Sequence, residues 1–523
     1  MINLYSNKTL LYNKIPLICL MVFLVIRSAS FAWSDYAGYY YGSRELLKGN
    51  YLTVYDTQSL NALILEQSHK SVFVSYAPFP PFTSLLFLPF TIMSIEFSKL
   101  IFNILSCCLF LLTLWRSFKY FAIPNIFWLF VPIIFLTPLR NNIFFGQAYL
   151  LLFSLLMEGY MAYKKDKLIL SSFLWGIAIV FKVFPIVIFL FLIFRKNYKA
   201  VFYLCFTCLF LLIFSLLING FAPWQLYFLK IFPRLNNGEL NDSYTYMFQS
   251  AFMLFKNIFV YDKLMNPYAF LNNPYLFLGI MAIFKAFVIS VCIVITIRQK
   301  SNDFLSFAMW MAGSMLISPN GSIYSLILLL IPFLALLNYQ VNRTQQVIVI
   351  LLLLLICNIP VHYFSSFPVL LKFPRLYFFI AFFIMLFVFA QVKYNYMVLL
   401  VVFCLFLGLD AFKLFNKPDN SSYLFSKDEY ALIYDYKIKN NKLICYYWSE
   451  EGGKEILTDY IVKKSNTKDL YLKDNQIYYK GKKLTDSPDW KRKPLLLDGT
   501  YIVYLSDKNR GVGFYTLRKL KLS

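Results

Sequence analysis

Ahead of residue 416 the chain carries 12 acidic against 29 basic residues, few enough for each carboxylate to be weighed singly. Glu158, Asp166 and Asp303 fall beside basic clusters, and Asp410 ends the last apolar block. Asp35, Glu45, Asp56, Glu66, Glu96, Glu239, Asp242 and Asp262 are left for the opposite face. Of these, Asp35 lies within three residues of the end of the first apolar block, in Ala32-Trp33-Ser34-Asp35-Tyr36. A carboxylate at that boundary is partly desolvated, which raises its pKa and suits a general base. The same position also fits a carboxylate that merely caps the next helix.

Cations inside apolar segments are the second chemical signal, because charge is costly there. Lys182 lies within Trp175–Phe194, Arg140 follows Pro138 at a block end, and Lys285 sits in Leu276–Ile297. Arg140 as a fork and Lys182 as a point charge suit a lipid-linked phosphate or pyrophosphate. The alternative is snorkelling to the interface, which fits Lys285 best. Gly146-Gln147 opens the block after Arg140, where free helix N–H groups offer themselves to an anion or a sugar hydroxyl. Ser318-Pro319-Asn320-Gly321-Ser322 is a polar, turn-rich junction of the same kind. His69 and His362 are the only histidines, too few for a His-rich metal site, and eight of the nine cysteines lie in apolar blocks.

The elements that position these groups follow from composition. The 523 residues are 59% hydrophobic and only 15% charged, against roughly 25% charged in a soluble protein. Long uncharged blocks such as Tyr120–Leu139 and Leu376–Val392 indicate a polytopic α-helical membrane protein. Lys8 and Lys14 precede Ile15–Ala32, read as a retained first helix rather than a cleaved signal. Basic residues bound the later blocks at Arg116–Lys119, Lys164–Lys167, Arg195–Lys199, Arg298–Lys300, Arg343 and Lys393. With all of these cytoplasmic, each intervening segment crosses an even number of times. Between Lys167 and Arg195 that demands two short helices, turning outside at Phe181–Pro185. Between Lys14 and Arg116 it leaves Pro78–Met93 along the outer interface. The sum is about 13 crossings, with the N-terminus inside and the C-terminus outside.

The net charge of +24 is thereby a topology signal and calls for no nucleic acid. Residues 1–413 form the membrane domain, with outer segments at 33–96, 220–274 and 360–375. Residues 414–523 alternate β-formers with turn signals, as in Leu443–Trp448, Asn475–Tyr479, Gly499–Leu505 and Gly513–Leu517, and are expected to form a small β-rich extracytoplasmic domain.

The order and spacing of several short stretches resemble the GT-C-fold glycosyltransferases, specifically the polyprenyl-phosphate-sugar-dependent, mannosyltransferase-like glycosyltransferase family 87. They are Asp35-Tyr36 with Tyr39–Tyr41, Leu46–Tyr51, Tyr76–Pro81, Phe145–Leu150, Gly176–Pro185, Phe248–Ser250 and Ser318-Pro319, within roughly residues 15–340. The resemblance implies inverting transfer of a hexose, mannose first, from a polyprenyl phosphate sugar to a lipid- or glycan-linked acceptor hydroxyl at the outer leaflet. It gives Asp35 the role of catalytic base. It also implies a polyprenyl phosphate leaving group, with Lys182 and Arg140, then Arg234 and Arg375, as the cations that hold it, and no metal or cofactor. Tyr39, Tyr40, Gln147, Gln249 and Tyr324 are the expected substrate contacts. Tyr324 stands about where many members carry a His after Ser-Pro, which leaves that residue's role altered.

Two other classes compete. A transporter or flippase of lipid-linked glycans would show matched halves, and no repeat is evident between residues 15–220 and 221–413. A surface-glycan polymerase would use a longer, Arg-rich late outer loop, whereas residues 360–375 offer only Lys372 and Arg375. The Lys, Asn, Phe, Ile and Tyr content points to an AT-rich genome, hence a bacterial plasma membrane.

Overall fold

The computed structural model describes residues 12–240, 243–263, 265–299, 302–339, 342–414, 421–424, 433–449, 452–461, 469–497 and 499–522. Lys8, Asp242 and Lys300 lie outside the described residues. Helices fill the chain to Leu414 and strands follow it.

Among the described residues, three helices are long and apolar enough to cross a membrane unaided: Ile95–Tyr120, Tyr198–Asn219 and Pro274–Arg298. A fourth span is possible from Asn125–Ile134 and Leu136–Phe145, which meet at a 64° bend. The other apolar helices are shorter. Leu168–Lys182, with 15 residues, is about 22 Å long, less than a hydrocarbon core of about 30 Å. Length and composition therefore account for three to four of the 13 crossings expected. The bend shows how a broken span keeps its backbone satisfied. Asn358 donates to the freed Ile134 carbonyl at 2.8 Å and accepts from the Thr137 hydroxyl at 2.8 Å.

The expected turn between Lys167 and Arg195 is present. Leu168–Lys182 ends at Val183, a short 3₁₀ turn spans Phe184–Ile186, and Val187–Phe194 returns. Pro78–Met93 likewise forms only the short helices Thr83–Phe87 and Leu88–Ile92.

The basic clusters gather at one end of the bundle. Asp303 receives both Lys164 and Arg195 at 2.8 Å. Arg116 pairs with Glu158 at 3.1 Å, and Arg298 donates to the Lys393 carbonyl at 2.7 Å. Lys14 lies over the Trp115 and Trp128 rings. Meanwhile Phe202, Phe206, Leu209 and Leu217 stand exposed on Tyr198–Asn219, an apolar face of the kind that lipid covers.

The tail is built from antiparallel hairpins. One sheet runs Ser422–Tyr423, Thr516–Lys521, Tyr501–Ser506, Lys491–Leu497 in spatial order. Two three-stranded sheets comprise Ile433–Lys439, Lys442–Ser449, Gly452–Ile461 and Leu470–Lys473, Gln476–Tyr479, Lys482–Lys483. Two-residue turns at Asn440-Asn441, Asp474-Asn475 and Lys480-Gly481 all have positive φ. That is the turn whose twist matches paired strands, and Asn, Asp and Gly tolerate it.

The tail docks on the outer segments. Arg234 donates to Asp507 at 2.8 Å and to Glu239 at 2.7 Å, with Arg234 and Asp507 both essentially unexposed. Asp56 caps the helix Thr57–Ser68, pairs with Arg492 at 2.9 Å and accepts from the Tyr515 hydroxyl.

Candidate active site

At the end of the bundle opposite the basic clusters, three side chains meet, each beside a left-handed backbone position. Ser34 (φ 47°) precedes Asp35, Gly146 (φ 65°) precedes Gln147, and Val183 (φ 22°) follows Lys182. Such conformations cost energy in Ser and more so in β-branched Val, and they concentrate where a chain must present a particular side chain. Gly146 also has a steric reason to be glycine. A Cβ there would sit 2.6 Å from the Tyr36 Cβ.

Asp35 is the first residue of the helix Asp35–Leu47. One carboxylate oxygen accepts from Gln147 Nε2 at 2.6 Å, and Gln147 Oε1 accepts from the Tyr39 hydroxyl at 3.1 Å. Tyr39 is four residues along from Asp35, on the same helix face. The other carboxylate oxygen has no hydrogen-bond partner among the described residues. Asp35 keeps partial exposure, yet crowding strips enough water that burial raises its carboxyl above the ordinary range. The Gln147 amide, then the Lys182 and Lys99 ammonium groups, pull it back. No carboxylate-capping bond forms at this helix start, so the residue does no capping work.

Lys182 is buried and makes no ion pair within 4 Å among the described residues. Its ammonium is held over aromatic faces, 4.2 Å from the Phe79 centroid and 4.9 Å from that of Tyr149. Such contacts stabilise a desolvated cation without neutralising it. Gln147, Tyr149 and Lys182 line an open cavity of about 150 Å³ with Phe79, Tyr227, Asn236, Ser318, Asn320 and Tyr324. Tyr324 packs on Tyr149 with centroids 5.4 Å apart. The cavity's mix of rings with few polar groups suits a ligand that is largely apolar with a few polar contacts.

The other expected site residues lie elsewhere. Tyr40, one position from Tyr39, turns away and donates to the Met93 carbonyl at 2.8 Å. Arg140 is exposed, its guanidinium 5.4 Å from the Phe144 ring. Arg234 is committed to Asp507 and Glu239. Arg375 donates to the Ile359 carbonyl, and its backbone N–H donates to Gln249. Gln249 in turn donates to the Lys372 carbonyl at 2.8 Å and braces the loop behind Gly321. Asp35, Tyr39, Gln147, Lys182 and Tyr324 are thus brought together, and Tyr40, Arg140, Arg234, Gln249 and Arg375 are not.

Two contributors were missed from sequence. Asn142 donates to the Tyr324 carbonyl at 2.8 Å, and its own carbonyls accept from the Gln147 and Tyr149 N–H groups. It fixes both sides of the cavity. Lys99 donates to the Ala32 carbonyl at 2.8 Å and adds positive potential near Asp35. Its signal was a lysine in an apolar block, the rule already applied to Lys182.

Residues 77–319 match the model of glycosyltransferase family 87. Gln147 and Lys182 fall inside that stretch, Asp35 ahead of it and Tyr324 just beyond it. Comparison with curated proteins and with solved structures gives no match.

Proposed function

We propose, on the match of residues 77–319 to glycosyltransferase family 87, that the chain transfers a hexose, mannose first, from a polyprenyl phosphate sugar to an acceptor hydroxyl at the outer membrane leaflet. The supporting observation is that Gln147 and Lys182 line one cavity while Gln147 holds the Asp35 carboxylate behind it. In this reading the acceptor oxygen attacks the anomeric carbon as the bond from that carbon to the phosphate oxygen breaks. The configuration inverts, the acceptor proton passes to Asp35, and polyprenyl phosphate leaves with the bonding electrons.

Each role has a physical basis. A carboxylate with one partner of two and a raised pKa is a better base than an ion-paired one. A buried ammonium without a counter-ion gains most when anionic charge develops beside it, which lowers the barrier specifically in the transition state. Lys182 is therefore the donor-phosphate residue, and Arg140, Arg234 and Arg375 act outside the cavity. Tyr39 and Gln147 hold Asp35, and Tyr149 and Tyr324 offer ring faces to sugar or lipid. In this reading the gathered basic clusters mark the inner end, and the cavity and the tail face outward.

The test is label transfer from synthetic polyprenyl-phosphate [¹⁴C]mannose by purified protein, with a bacterial lipid extract as acceptor. Product from wild type and none from Asp35→Asn supports the reading. No transfer from that donor, nor from the glucose, galactose or arabinose equivalents, sinks it and favours a lipid-linked-glycan transporter.

A further inference from the structure

A second hollow opens where the tail meets the membrane domain. It is a cleft of about 270 Å³, walled by Thr53 and Ser59 of the first outer segment, Leu226 and Lys230 of the second, and Trp490 and Arg492 of the tail. Three features set it apart from a chance gap. Its charged lining is all basic. Its wall is pre-ordered: Arg492 lies over the Tyr515 ring at 4.9 Å and bonds Asp56 and Ser59, while the Trp490 and Lys491 N–H groups are fixed by Asp507 and Asn475. And Lys230, half-buried, has no hydrogen bond or ion pair among the described residues. It also sits in a π-helical turn, Tyr227–Ile231, a distortion that often marks working positions.

Leu226 and Lys230 look into this cleft, whereas Tyr227, Leu235 and Asn236 of the same helical stretch line the catalytic cavity. The two hollows are separated by one helix, about 10 Å across with its side chains.

We propose that this cleft binds an anionic sugar chain. Leu52 and Leu226 offer an apolar wall to the C–H side of a pyranose. Lys230 supplies an ammonium for a carboxylate or phosphate substituent, and Arg492, paired with Asp56, holds the wall. With no acidic residue among the lining groups, an anion concentrates there and a neutral sugar does not. Resting on the transferase reading above, the bound chain is the distal part of the acceptor, positioned so that its end reaches the cavity on the other side of the helix.

Binding is measured by calorimetry on the full-length protein in detergent, with an oligogalacturonide as the acidic chain and maltoheptaose as its neutral counterpart. The oligogalacturonide is expected to bind saturably, more weakly as salt rises, and at least about tenfold more tightly than maltoheptaose. Lys230→Gln, which breaks no contact of the fold, is expected to raise its Kd about tenfold. Lys199→Gln, at the opposite end of the bundle, is expected to bind as wild type. Equal binding of the two chains, no binding of either, or an unchanged Kd in Lys230→Gln overturns the proposal. No donor or transfer step enters this measurement, so failure of the transferase reading is scored separately, in the label-transfer assay.

Discussion

Asp35 and Asp56 stand at the starts of two helices within residues 33–96, and the fold treats them in opposite ways. Asp35 accepts one hydrogen bond, from a neutral amide, with its nearest cations close but unbonded. Asp56 caps its helix through the Ser59 N–H, pairs with Arg492 and takes the Tyr515 hydroxyl. The same division separates Lys182, suspended over rings, from Arg234, locked between two carboxylates. A charge left under-partnered keeps free energy available for a reacting group. A charge that is fully partnered has exchanged that availability for position. The cavity and the seam are built from the same residue types and differ in how many of their valences are already satisfied.

Asp35→Asn gives the sharpest contrast. It is expected to lower kcat by roughly 10²- to 10⁴-fold, the usual range for a general base, with an unchanged thermal transition. A variant that turns over near the wild-type rate removes Asp35 from the chemistry. The converse is Arg234→Met, which leaves Asp507 buried and without its cation. Breaking such a pair costs about 3–5 kcal/mol. The readout is early release of a tail fragment in limited proteolysis, and a digestion pattern like wild type would mean that the seam holds without this pair.

Lys182→Gln should raise the Kd for polyprenyl phosphate roughly 10- to 100-fold, the worth of one charge-assisted bond. Wild-type affinity there would return the phosphate role to another cation. The finest test is the pH profile. Only ionised Asp35 can take a proton, so the rate should climb with pH through the carboxyl's pKa. Burial places that midpoint above the ordinary value of about 3.9. Lys182 favours the carboxylate, so in Lys182→Gln the residual activity should rise at a still higher pH. A midpoint unmoved by that substitution would separate the two charges electrostatically.

How legible all this was in sequence depended on the range of the interaction. Phe181–Pro185 as a turn followed from charge parity over 27 residues, and the tail strands Lys442–Ser449, Gln476–Tyr479 and Tyr501–Ser506 followed from local alternation. Asp35, Gln147 and Lys182 were each visible from their own surroundings. Their meeting, across 112 positions in the case of Asp35 and Gln147, was suggested only by family resemblance. Arg234 misled because an arginine on an outer loop looks the same whether it faces phosphate or an aspartate 273 residues away. The helix count was harder still, since short apolar helices and broken spans share one composition with full spans, and only backbone geometry separates them.

The seam also sets a clock on biogenesis. Asp56 emerges early, but its hydroxyl partner Tyr515 comes 459 positions later, which at about 5–20 residues per second is about 25–90 s of synthesis. Throughout that interval the Asp56 carboxylate lacks the cover that the tail gives it. A chain cut ahead of Tyr515 would leave that carboxylate without its hydroxyl partner. The seam therefore ties an early part of the chain to a late one, and it forms only after the tail strands have been made.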